Sequence, residues 1–172
     1  MKISSEEFQG NVLEGLDPPE QDVVRKVALA GNTMLFSEKT HQQIFDDMLS
    51  GGGELADNLG NGVANIMLLI YGKSKSMPRG ALPLAGAILL ANAAEVLDKG
   101  GTPVDETTFD DALQTMTVKI FDRFDPEFRG KVAQKTGRQV PPRNTGQQQQ
   151  GMPQQGMQQM PQGQGLISQA GM

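Results

Sequence analysis

The sequence predicts an all-α protein: a compact bundle of about five helices followed by a low-complexity C-terminal tail. Three observations carry this. Apolar residues recur at steps of three and four through most of residues 17–128. No segment alternates as a half-buried strand does, and no Asn-Gly turn joins two such runs. After about residue 136 the character changes: residues 147–172 hold 11 glutamines, 5 glycines, 4 methionines and 2 prolines, with no charge.

Residues 1–16 read as a short, weak helix or an N-terminal arm. Phe8, Val12, Leu13 and Leu16 share one face, while Gly10 and Gly15 weaken it. Asp17-Pro18-Pro19-Glu20 is a helix start, with Asp17 as cap and Pro18 at the first helical position. Val23, Val24, Val27 and Ala28 follow at helical spacing, and Gly31-Asn32 marks a break or kink. Ser37 either caps a second helix or lies within a continuing first one. Leu35, Phe36, Ile44, Phe45, Met48 and Leu49 are expected on the core face of this second segment, which Gly51-Gly52-Gly53 ends.

A helix over about 54–71 follows, with Gly60 and Gly62 letting a neighbour approach closely. The next, over about 82–99, is apolar nearly all round and is expected to be the most buried. Asp105 caps the helix after it. Val104 staples onto Phe109 there, and Phe109, Leu113, Met116, Ile120 and Phe124 make one stripe. Asp125-Pro126 opens a last short helix with Phe128 and Val132. The expected organisation is an arm over 1–16, a helical domain over 17–135 and a tail over 136–172, disordered unless held by partners because it has too little apolar surface to offset its ordering entropy.

Charge is unevenly placed. Residues 1–127 hold all 20 acidic residues and 10 basic ones, a net of −10, while residues 128–172 hold 5 basic residues and no acid, a net of +5. An acidic body repels phosphates, so sequence-specific nucleic-acid binding is not expected. The basic neck, with Arg129, Lys131, Lys135 and Arg138, is either a solvated hinge or a contact for an acidic neighbour. With no cysteine, disulfides and thiolate metal sites are excluded. The first residues lack the apolar core of a secretory signal, so no host secretion route is expected.

Catalytic motifs fail on inspection. Gly72-Lys73-Ser74 resembles the end of a phosphate loop, but Met67 stands where the first glycine belongs and no strand precedes it. Gly60-Asn61-Gly62 lacks the strand and the third glycine of a dinucleotide fingerprint. His41, the lone histidine, has Ser37 one turn before it and Asp46 about one turn after, which are ordinary helix-surface neighbours. The pairs Glu6-Glu7, Asp46-Asp47 and Asp110-Asp111 splay about 100° apart on a helix, and the Glu-x-x-His signature of di-iron bundles is missing. No cofactor, metal or catalytic residue is therefore expected. Residues 81–94 carry no charge, but a bilayer span needs about 20 residues and Pro83, Gly86 and Asn92 interrupt the run, which favours a core helix.

The run Met34-Leu-Phe-Ser-Glu-Lys-Thr-His41, the apolar Leu82-Pro-Leu-Ala-Gly-Ala-Ile-Leu-Leu90 and the low-complexity end closing in Gly165-Leu-Ile-Ser-Gln169 resemble the small internal virion (ejection) proteins of podoviruses that carry a virion RNA polymerase. The resemblance covers roughly residues 34–128 and the style of the tail, in layout and short phrases. It implies a non-enzymatic protein packed in the virion, expelled at infection and active in the host envelope or periplasm as part of a conduit for DNA. The partners it implies are copies of the chain, other virion proteins and the host membrane after ejection. The residues expected at the oligomer interface are Arg129, Lys131, Lys135, Arg138, Leu166 and Ile167. The rival expectation is an adaptor or scaffolding module that binds a partner through its tail.

Overall fold

Six α-helices and no strand make up the described part of the computed structural model, residues 4–39, 41–50, 52–74 and 77–125. They are α1 (Ser5–Glu14), α2 (Pro18–Leu35), α3 (His41–Ser50), α4 (Leu55–Lys73), α5 (Ala81–Lys99) and α6 (Glu106–Asp122). The six helices belong to one compact unit. The short helix expected from Pro126 onward and the tail over 136–172 lie outside the described residues.

The helix starts follow their capping chemistry. Asp17 Oδ1 accepts from the Glu20 amide at 2.9 Å, with prolines at the first helical positions. Asp105 Oδ1 accepts from the Thr108 amide at 2.8 Å, and Val104 and Phe109 are both buried, as the staple requires. Removing the cap as Asp105→Ala is expected to cost about 1 kcal/mol, read as a lower thermal midpoint of the full chain.

The N-terminal segment is a helix docked on the bundle rather than a free arm. Its Leu13 is buried, and the Phe8 ring meets Phe109 edge-on with centroids 5.3 Å apart. A ten-residue helix with a glycine inside it is marginal alone, and this tertiary contact holds it. Gly31 does not break α2, which continues to Leu35. A Cβ at Gly31 would lie 2.8 Å from Met67 Cε and 2.9 Å from Leu89 Cδ2, so the glycine marks a close crossing and packing overrides its local preference. Ser37 lies beyond the end of α2, and its carbonyl accepts from the His41 amide at 2.8 Å. The core face expected of the next segment is only partly right. Leu35 belongs to α2 and Met48 is buried, but Phe36 and Leu49 are exposed because α3 packs chiefly on α4 alone.

The close approach expected at Gly60 and Gly62 is present. Gly60 lies against the backbone of Ala112 on α6, and Gly62 faces Met48 on α3. Across the α4–α6 contact, Thr115 Oγ1 donates to Asp57 Oδ1 at 3.0 Å. Helix α5 is the centre of the core, with Leu82, Ala85, Ile88, Leu89, Leu90, Ala91 and Ala93 all fully buried. It is long and apolar enough to cross a membrane, and most of it is covered by the other helices.

The contacts also set directions. Gly31 of α2 meets Leu89 of α5, Asn32 meets Asn92, and Val23 lies near Leu84, so α2 and α5 run parallel. Ser5 meets Glu95 while Leu16 lies near Leu84, so α1 runs against α5. Asp57 meets Thr115 and Tyr71 meets Phe124, so α4 and α6 run together.

Candidate assembly surface

The parallel α2–α5 seam presents two different ends. Asn92 Nδ2, midway along α5, donates to Asn32 Oδ1 in the last turn of α2 at 2.9 Å, a half-buried pair that satisfies both side chains in part and fixes the register of the two helices. One turn further along each helix stand Phe36 and Val96, 42% and 40% exposed. Leu29, one turn before Asn32 on α2, is 67% exposed. The Phe36 ring rests on Phe45 of α3 with centroids 6.2 Å apart. Apolar side chains are therefore left exposed along this part of the seam.

The other end is concave. The start of α2, Leu16 before it and the start of α5 enclose an open groove of about 350 Å³. Leu16, Pro19, Val23, Pro78 and Leu84 form its apolar walls, and Glu20 is at its rim. Gly80 and Ala81, too small to fill the space between the two helix starts, leave it open. Next to it, Phe124 at the end of α6 packs edge-on to Tyr71 with centroids 4.9 Å apart. The Arg79 guanidinium lies 4.8 Å from the Phe124 ring centroid, and its Nε donates to the Tyr71 hydroxyl at 3.4 Å.

The two ends differ in charge. Glu6, Glu7, Glu38, Glu54, Asp98, Asp105 and Glu106 lie toward the Phe36–Val96 end, with Lys39 and Lys99 as its basic residues. Lys73, Arg79, Lys119 and Arg123 lie toward the groove end and nearly offset Glu14, Asp17, Glu20, Asp122 and Asp125. Burial pushes the Lys119 ammonium below its usual pKa range.

At the Phe36–Val96 end Glu95 ties α1 to α5. Lys99 Nζ donates to its Oε1 at 2.6 Å, Ser5 Oγ donates to its Oε2, and the Ser5 amide reaches the same oxygen at 3.2 Å. These donors, Lys99 first and Ser5 next, hold the Glu95 carboxyl down at about 2 instead of 4.5. A depressed carboxylate pKa contributes stability that is complete above the unfolded value and is lost as pH falls through the folded one. Docking of α1 is thus expected to weaken between about pH 4.5 and pH 2. Amide-exchange protection at Phe8 and Leu13, followed against pH, checks this; Glu95→Gln should flatten the profile.

Among the described residues no group of three or more His, Asp or Glu side chains is placed to hold a metal ion. His41 is exposed, with Nδ1 3.3 Å from the Ser37 carbonyl oxygen. The interface residues expected from the sequence, Arg129, Lys131, Lys135, Arg138, Leu166 and Ile167, lie outside the described residues. Most apolar residues of α4 and α5 are covered within the bundle, leaving Leu69 and Val96 as their large exposed members. Sequence reasoning missed the seam ends. Leu29 was the one legible signal, an apolar residue off the stripe made by Val24, Val27, Ala28 and Leu35.

No protein-family model matches the chain, and searches of curated proteins and of solved structures return no match.

Proposed function

We propose that this chain is a structural protein of a bacteriophage virion. It is carried inside the particle, is expelled at infection, and assembles with copies of itself into a ring or tube that serves DNA delivery across the host envelope. The observation that carries the reading is the surface of the bundle, which leaves large apolar side chains exposed and an apolar groove open. The phrases Met34–His41 and Leu82–Leu90, which resemble those of ejection proteins, support it from the sequence. In this reading the protein performs no catalysis and holds no cofactor. The basic neck with Arg129, Lys131, Lys135 and Arg138 pairs with the acidic body of a neighbour, and Leu166 and Ile167 of the tail seat on neighbouring copies or other virion proteins.

Mass spectrometry of purified phage particles, paired with sedimentation of the full chain, tests it. The expected result is the chain in mature virions in many copies, and concentration-dependent multimers of the pure protein. A chain found in immature proheads and missing from mature particles would be the adaptor or scaffolding module instead. A chain missing from both, and strictly monomeric, would overturn the reading.

A further inference from the structure

We infer that α1 is a releasable strap: it opens from the bundle as a unit while α2–α6 keep their packing, and its opening bares an apolar stripe on α5. The step occurs within one copy of the chain, so it does not depend on self-assembly.

The path of the strap follows from its two ends. The Ser5 amide meets Glu95, and Leu16, just past the other end of α1, lies near Leu84. The same number of residues separates Ser5 from Leu16 and Leu84 from Glu95, so α1 and α5 lie side by side in opposite directions without slip. The line on α5 from Leu84 to Glu95 passes through Ile88 and Ala91, at steps of four, three and four. Both are fully buried. Phe8, one turn on from Ser5, comes level with Ala91, and its ring stands edge-on to Phe109 of α6. The other sides of α5 are taken. Leu89 and Asn92 meet α2, while Met67 of α4 and Met116 of α6 close on Gly86.

The hold on the strap is slight. Leu13 is the only buried side chain of α1, and Phe8 and Val12 are half-buried, whereas α5 buries most of its length. The polar tie of Ser5 to Glu95 is partly open to water, which competes for the carboxylate. The joints of the remaining bundle do not use α1. Gly31 meets Leu89 between α2 and α5, Gly60 meets Ala112 between α4 and α6, and Gly62 meets Met48 between α4 and α3. Helix α2 also starts by itself, with Asp17 as its cap and prolines in its first turn. Opening at Gly15 thus costs the contacts of α1 alone. An element with so few buried contacts opens at a free energy well below that of global unfolding. The stripe it uncovers lies on the helix that, among the described residues, is long and apolar enough to cross a membrane. The strap is therefore a contact by which the chain masks one side of its most apolar helix.

The test is thiol labelling of the full-length chain, which has no cysteine of its own. Ala91→Cys places a thiol under the strap. Ala93→Cys, two residues on, places one on the opposite side of α5, and both positions are fully buried. A thiol-reactive dye should label the Ala91→Cys variant at least about tenfold faster than the Ala93→Cys variant. Low denaturant should speed the first only weakly and the second steeply, because global unfolding exposes far more surface. Equal rates with equal denaturant slopes, whether both fast or both slow, would overturn the strap. Amide exchange of the natural chain gives the same answer without substitution. The amides from Phe8 to Leu13 should share one opening free energy and one shallow denaturant slope, below those of α4 and α5. Protection in α1 equal to that of α5, or a gradient falling steadily from Leu13 toward Phe8 as in simple fraying, would also overturn it.

Discussion

Replacing Leu89 by alanine is expected to destabilise the bundle by about 2–5 kcal/mol. Leu89 is fully buried in the middle of α5, and its methyl groups press on the backbone of α2 where Gly31 has no side chain. The substitution removes the methyls and opens a cavity at a crossing too tight for the helices to collapse into. Met67 lies at the same crossing, its Cε 2.8 Å from where a Gly31 Cβ would stand, and its flexible thioether can swing part of the way into the space. The loss should therefore fall inside the range rather than at its top. Adding Gly31→Ala supplies a methyl group to the cavity. Alone, Gly31→Ala crowds Leu89; combined with Leu89→Ala it should recover part of the lost stability, a favourable coupling read from a double-mutant cycle of denaturant midpoints. Two additive losses would show that Leu89 and Gly31 do not share the crossing described above.

Gly60→Ala is expected to destabilise by about 1–3 kcal/mol, although alanine favours a helix over glycine by up to about 1 kcal/mol. Packing decides the sign. The new Cβ would stand 2.4 Å from the Ala112 carbonyl oxygen, 2.9 Å from Thr115 Cβ and 3.1 Å from the Met116 amide nitrogen. Two of those atoms are backbone and cannot rotate away, so α4 and α6 must separate, loosening the Thr115–Asp57 hydrogen bond as they do. Gly10→Ala is the control on the same scale. Gly10 is exposed inside α1 and a Cβ there meets nothing within 4 Å, so only the backbone term remains, and a gain of about 0.5–1 kcal/mol follows. Thermal melts of the two variants should move in opposite directions. A Gly60→Ala chain as stable as the natural one would mean that the α4–α6 interface is looser than drawn.

Much of the architecture was legible because local chemistry and packing agree along most of the chain. The helix expected over 54–71 is Leu55–Lys73, that over 82–99 is Ala81–Lys99, and the cap at Asp105 opens Glu106–Asp122. Where the reading missed, tertiary contact had overruled a local rule. Gly31 looks like a stop signal, yet a crossing helix needs its missing side chain and α2 runs through it. Gly10 and Gly15 left residues 1–16 open between a weak helix and an arm, and the tertiary contacts of Leu13 and of Phe8 with Phe109 decide for the helix. The seam ends were less visible still. The helix α5 is apolar on every side, so periodicity does not distinguish the covered Leu97 from the exposed Val96. The groove is lined by residues from positions 16 to 84 that only the parallel run of α2 and α5 brings together.

The way glycine and methionine meet in the core has a mechanical consequence. Met67 faces both Gly31 and Gly86, Met116 faces Gly86, and Met48 faces Gly62, so each of these joints sets a flexible thioether into a notch in a neighbouring backbone. Branched side chains interlock in a few discrete rotamers and resist sliding, whereas an unbranched thioether with three rotatable bonds reshapes itself to follow its notch. These joints can re-pack around small changes of side-chain volume, while the branched Leu, Ile and Val residues that fill the rest of the core hold the helices in place.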